Sequence, residues 1–301
     1  MASTNRPLLS RLTIQLGLFM MSGREATQAV HWALQAGYRG FDTAQMYGNE
    51  REAGRAIASF LSSRQENREN LRREDIHYTT KLMENGTSYD SVRRSIKDSV
   101  EACGLGYVDL FLLHSPYGGK EARLTSWRAL EDAVESGEVR MIGVSNFGVR
   151  HVEELMASNP RIKPVVNQFE VHPFHTQMPI RKVCKKYDIT VEAYAPFARG
   201  LRLKHPAVVE LANKYSCTTS QLLVKWAMQH NMVTLPKSTR RERMISNVDV
   251  GGLQISEQDM RAMDNLDEGF ISAWYVSGPA GGSRLRWCEE LTQRRNPTNA
   301  A

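Results

Sequence analysis

The sequence predicts an α/β fold, a closed (β/α)8 TIM barrel, on three observations. Eight short β-type runs recur along the 301 residues, at 12–18, 38–42, 76–81, 107–113, 139–144, 164–170, 189–194 and 232–235. Segments with helical spacing separate most of them. Several runs, such as VDLFLL at 108–113, are apolar on both faces, as parallel strands covered by helices must be.

The helical segments carry their apolar residues on one stripe. Val92, Ile96, Val100 and Cys103 share one face, and Trp127, Leu130 and Val134 another. Ser22 with Glu25, and Thr218 with Gln221, have the spacing of capping boxes, while Gly37, Gly104 and Gly137 stand where helices should end. Two helices exceed the repeat, at 205–215 before a helix at 218–230, and at 256–266 after the last strand. The expected organisation is one barrel domain over 1–279, with a flexible C-terminal tail over 280–301. A doubly wound dinucleotide fold is the competing architecture, but no GxGxxG follows any strand.

A hydrophobic share of 41% against 24% charged residues suffices for a large core. The net charge of +6 is spread along the chain, its densest cluster being PKSTRRER at 236–243. Such a cluster suits a small anionic ligand, and no nucleic-acid partner is expected. Cys103, Cys184, Cys217 and Cys288 have neither CxxC nor metal-ligand spacing, so they read as ordinary thiols in a reducing, cytoplasmic setting, with no metal site. The run LTIQLGLFMM at 12–21 is interrupted by Gln15 and lacks a cleavage site, so it reads as a first strand rather than a secretory signal. No run approaches the ~20 apolar residues of a membrane helix.

Barrel enzymes place their chemistry where strands end. Asp42, Lys81 and His114 stand at three such ends, and Tyr47 lies in the loop after the second strand. Taken singly, they read as a turn aspartate, a solvated strand end, a core histidine and a packing tyrosine. Together they suit carbonyl reduction. A tyrosine stays protonated at neutral pH and serves as acid, and a nearby lysine cation lowers its pKa. Asp42 would hold Lys81, and His114 would orient the carbonyl oxygen.

The segments GYRGFDTAQMYGNE, TTKL, VDLFLLHSP, IGVSNF, VNQFEVHP, EAYAP and LPKSTRRERMISN occur in the order and spacing of the aldo-keto reductase superfamily. The chain resembles that family from about residue 10 to residue 268. The resemblance implies an NADPH-dependent oxidoreductase acting on an aldehyde or ketone, with NADP(H) as its cofactor and neither metal nor flavin. It implies a catalytic tetrad of Asp42, Tyr47, Lys81 and His114. It assigns Ser145, Asn146 and Gln168 to the nicotinamide carboxamide and Tyr194 to the ring face. Lys237, Ser238 and Arg243 fall at the adenosine 2′-phosphate, with Asn247 near the adenine.

The sequence departs from the family pattern at the substrate end. Phe19 replaces a glycine, while Met21 and Met83 stand where aromatic residues are frequent, predicting an adaptable apolar pocket for a bulky carbonyl. Ala195 and Ser246 replace a serine and a glutamate near the cofactor, which would weaken its affinity. Trp274, Tyr275 and Trp287 are candidates to close over the pocket. The expected partner is a small carbonyl substrate, and the expected state a monomer or weak homo-oligomer. Two other readings compete. One is a cofactor-binding redox sensor, like the channel β-subunits of that superfamily. The other is a hydrolase or isomerase using Asp42 and His114, which leaves Gln168, Tyr194, Lys237 and Ser238 unexplained.

Overall fold

In the computed structural model, which describes residues 12–273, all eight expected strands form one parallel sheet in sequential order. They are β1 (Leu16–Gly17), β2 (Gly40–Asp42), β3 (His77–Leu82), β4 (Val108–Leu113), β5 (Val139–Ser145), β6 (Val166–Glu170), β7 (Thr190–Tyr194) and β8 (Val233–Leu235). Backbone bonds from Gln15 N to Thr234 O (2.9 Å) and from Gly17 N to Pro236 O (3.1 Å) join β1 to β8 and close the barrel. The first strand is shorter than the 12–18 run suggests, because only its centre pairs with β2. The tail at 280–301 and Trp274, Tyr275, Trp287 and Cys288 lie outside the described residues.

Ten α-helices cover the sheet among the described residues. They are α1 (Gly23–Gln35), α2 (Glu50–Ser62), α3 (Tyr89–Cys103), α4 (Gly119–Glu135), α5 (Val149–Ala157), α6 (Met178–Lys186), α7 (Pro206–Lys214), α8 (Thr219–Gln229), α9 (Arg241–Val248) and α10 (Glu257–Asp264). Both expected capping boxes form, Ser22–Glu25 on α1 and Thr218–Gln221 on α8. The supernumerary helices are α7 and α10. The helix α9 was hidden in the sequence by its charge. Within RRERMISN only Met244 and Asn247 are buried, too few apolar positions to show a period.

Strand alternation divides the buried side chains between two regions. Thr80 faces outward and bonds Glu50 of α2 (Oγ1–Oε1, 2.5 Å), so its neighbour Lys81 faces inward. Inside the barrel, Leu110, Leu112, Met141 and Val166 form a small apolar cluster of their own. Buried polar residues, including Gln15, Thr79, Lys81, Gln168, Glu192 and Thr234, accompany them. That polar content is unusual for a packed core, and it lies beneath the strand ends where a barrel site is built.

Candidate active site

Asp42 ends β2, and the chain then makes a 3-10 turn over Gln45–Tyr47. Gly48 stops that turn at φ 64°, a left-handed conformation that costs glycine least. Buried Asn49 fixes the turn against the first loop: its Nδ2 donates to Leu18 O (3.0 Å) and Met21 O (3.1 Å), and its Oδ1 accepts from Thr43 Oγ1 (2.5 Å). Gln45 ties the same turn to the segment after β3, donating to Ser95 and Ser99 and accepting from Met83 N (2.7 Å). Neither role was visible in the sequence, since both depend on contacts between separate βα loops.

The four expected catalytic residues come together. Lys81 Nζ lies 2.7 Å from Asp42 Oδ1, 2.8 Å from Thr43 O and 3.4 Å from Tyr47 Oη. The rings of Tyr47 and His114 meet edge to face at 5.7 Å, and the Phe19 ring packs on Tyr47 in a tilted arrangement at 5.0 Å. Burial disfavours the Lys81 charge, yet Asp42 and Tyr47 outweigh it and the ammonium is held above its ordinary pKa. Lys81 therefore stays cationic.

Tyr47 differs from expectation in sign. Burial raises its phenol above the ordinary value, and Lys81 only partly offsets this. The lysine acts in the expected direction, but in a water-poor site desolvation of the phenolate is the larger effect. Burial, followed by the Lys81 charge, depresses His114 to about 3. The imidazole is consequently neutral across the physiological range and offers an N–H without carrying a charge.

The expected nicotinamide residues sit on the next three strands. Ser145 on β5 pairs in register with Gln168 on β6. Asn146, at φ 59°, donates from Nδ2 to His114 O (3.0 Å) and Ser145 Oγ (3.1 Å), and accepts from Tyr194 Oη at 2.8 Å. That bond anchors the Tyr194 ring. Gln168 Nε2 donates to Asp42 Oδ2 and to Glu192 Oε2, each at 2.8 Å. Glu192, missed as a functional residue in the sequence, is fully buried, and burial with Asp42 repulsion pushes its carboxyl up to about 7. The signal was its inward parity with Tyr194 two residues on.

Lys237, Ser238, Arg243 and Asn247 lie apart from the tetrad, in the loop after β8 and on α9. Lys237, Arg240, Arg241 and Arg243 are exposed, whereas Ser238 and Asn247 are buried. The Ser238 hydroxyl caps the local turn, accepting from Arg240 N at 3.1 Å. Beside this stretch, Trp32 and residues 239–242 line an open recess of about 660 Å³.

The two methionines expected at the substrate pocket differ in exposure. Met21 is 3% exposed and packed in the main core, and its neighbour Met20 is the exposed thioether, at 56%. A left-handed turn at Met20, φ 55°, directs the two side chains differently. Met83 is 44% exposed. A further group escaped the sequence reading: Glu170, at the end of β6, accepts from His172 Nε2 (2.9 Å), Ser272 N (2.7 Å) and Ala273 N (3.0 Å), latching the segment after α10 to the barrel. Among the described residues no His, Cys, Asp and Glu cluster could hold a metal, and no helix is long and apolar enough to cross a membrane.

A buried Lys–Asp pair beside a tyrosine, at the strand ends of a (β/α)8 barrel, is an arrangement suited to the chemistry of a carbonyl-reducing oxidoreductase. Comparison with known proteins agrees. Residues 13–268 match the model of the Aldo/keto reductase family. An uncharacterised oxidoreductase of Schizosaccharomyces pombe is 43% identical over 258 residues, 86% of this chain and 90% of its own. The glyoxal reductase of Bacillus subtilis is 37% identical over 254 residues, 84% and 88% of the two chains. The Bombyx mori aldo-keto reductase in complex with NADP superposes with a TM-score of 0.79 at 32% identity, covering 86% of this chain and 90% of that one. This chain belongs to the aldo/keto reductase family and is an oxidoreductase.

Proposed function

We propose that this protein reduces an aldehyde or ketone to an alcohol with NADPH, and that Tyr47 donates the proton. The observation that carries the reading is the placement of Tyr47 Oη at 3.4 Å from the Lys81 ammonium, which Asp42 holds at 2.7 Å. When bound, the reduced nicotinamide supplies a hydride to the carbonyl carbon.

The chain's own residues account for the rest. Neutral His114 donates an N–H to the carbonyl oxygen and orients it beside Tyr47. As negative charge grows on that oxygen it becomes a stronger acceptor, and the Tyr47 proton transfers to it. Lys81 stabilises the phenolate left behind. Asp42 keeps the ammonium in place and limits the cost of its burial. Phe19, against the Tyr47 ring, adds an apolar face beside the proton donor.

The residues fit the cofactor. With both amide hydrogens of Gln168 committed, its Oε1 is left to accept from a carboxamide NH2. The exposed cations after β8 suit a 2′-phosphate dianion, favouring NADPH over NADH. Loss of the reduced-nicotinamide absorbance with a panel of aldehydes, ketones and quinones tests the reading. Turnover by the wild type and its loss in Tyr47→Phe is the expected result. Tight NADPH binding without turnover on any substrate would replace it with the redox-sensor reading.

A further inference from the structure

We propose that Glu192 is a positioning residue of the nicotinamide site, selecting the orientation of the Gln168 amide. The inference rests on the reading that a nicotinamide binds at Ser145, Asn146 and Gln168.

A primary amide has nearly the same shape either way round, so its hydrogen bonds decide which end faces a ligand. Gln168 Nε2 meets two carboxylates, Asp42 Oδ2 from β2 across the barrel and Glu192 Oε2 from its register partner on β7. Turned over, the amide would set its carbonyl oxygen against both carboxylates in a buried site. Asp42 is already engaged by Lys81, so Glu192 supplies the second acceptor that completes the selection. The orientation so fixed leaves Oε1 as the group Gln168 offers a carboxamide.

Glu192 is itself held at both oxygens. Gln15 Nε2, on the β1 side, donates to Oε1 at 2.8 Å, while Gln168 uses Oε2. The charged groups acting on it are Asp42 and Lys81. Gln15 Oε1 has no protein partner among the described residues. A half-turn of the Gln15 amide, which breaks no other bond of that oxygen, would bring Oε1 to a protonated Glu192, or to an amide in its place, while the Gln168 side keeps its acceptor. Acceptance, rather than charge, is the property the site requires.

The test uses fluorescence titration of the full chain with NADPH and with adenosine 2′,5′-bisphosphate, which lacks the nicotinamide. Glu192→Leu removes the acceptor at similar volume and should weaken NADPH about tenfold, leaving the bisphosphate unchanged. Glu192→Gln keeps an acceptor and should bind NADPH within about threefold of wild type. Should the leucine variant not fold, Glu192→Met makes the same comparison with a more adaptable side chain. Unchanged NADPH affinity in the apolar variants, or equal loss for both ligands, would overturn the proposal, as would a glutamine variant as weak as leucine. Failure of the wild type to bind NADPH would overturn the underlying reading as well, and so separates the two.

Discussion

Lys81 and Asp42 form an ion pair of 2.7 Å in which the lysine side chain is 1% exposed and the aspartate 5%. Buried pairs of this kind are costly to break because the remaining charge has no compensation. Lys81→Met should lower stability by about 3–5 kcal/mol in denaturant unfolding. The double variant with Asp42→Asn should recover much of that stability and none of the turnover. A double variant no more stable than the single one would mean that the pair's charges are not what the barrel interior is tuned to.

Tyr47 remains protonated to above its ordinary value of 10, because burial outweighs the Lys81 charge. Carbonyl reduction should therefore show no loss of the acid between pH 6 and 9, and decline only once the pH exceeds about 10. Tyr47→Phe should reduce kcat by about 10²–10⁴-fold with little change in NADPH affinity. A pH–rate profile and a cofactor titration check both parts.

Glu192 connects the site to stability through pH. Its folded pKa of about 7 lies above the ordinary 4.5, so the folded state holds the proton more tightly than the unfolded one. Its ionisation thus favours unfolding, and stability should fall as pH rises from 4.5 to 7. Glu192→Gln should be more stable than wild type at pH 8, by roughly 2–3 kcal/mol, and equal to it near pH 4. His114 has the opposite sign: its pKa, depressed to about 3, withdraws stability as pH falls from 6.5 toward 3. Thermal melts across pH for each variant separate the two contributions.

Gly54 on α2 tests the packing of the outer layer. A Cβ there would lie 1.8 Å from the carbonyl oxygen of Cys103, at the end of α3. Backbone cannot yield as a side-chain tip does, so Gly54→Ala should cost about 3 kcal/mol or more despite alanine's better helix propensity. Chemical denaturation measures it, and a neutral result would mean that α2 and α3 separate without penalty.

Lys237 and Arg243 are exposed beside the recess after β8. Replacing either with alanine should raise the KM for NADPH by about tenfold, with little effect on NADH or kcat. The difference should shrink at high salt. Equal effects on the two cofactors would place the 2′-phosphate elsewhere.

Much of this was legible in the chain itself. Strand runs such as 108–113, the Ser22 and Thr218 caps, and Asp42, Lys81 and His114 at strand ends follow from local periodicity, which is written in neighbouring residues. Tyr47 followed from its loop after the second strand and the chemistry of a neutral acid, whereas Asn146 and Gln168 were reached through ordered motifs. The helix α9 was not, because its dense charges mask a period carried by Met244 and Asn247.

The tertiary structure decided what depends on residues far apart in sequence. Gln168 reaching Asp42 from 126 residues away, Gln15 meeting Glu192 across the β8 strand, and Glu170 holding Ser272 exist only once the sheet has closed. The shifted pKa values of Tyr47, His114 and Glu192 have the same origin, since desolvation comes from everything packed around a group. Local sequence set the elements and the chemistry they carry; closure of the barrel set which buried polar groups face one another, and with that their charge and orientation.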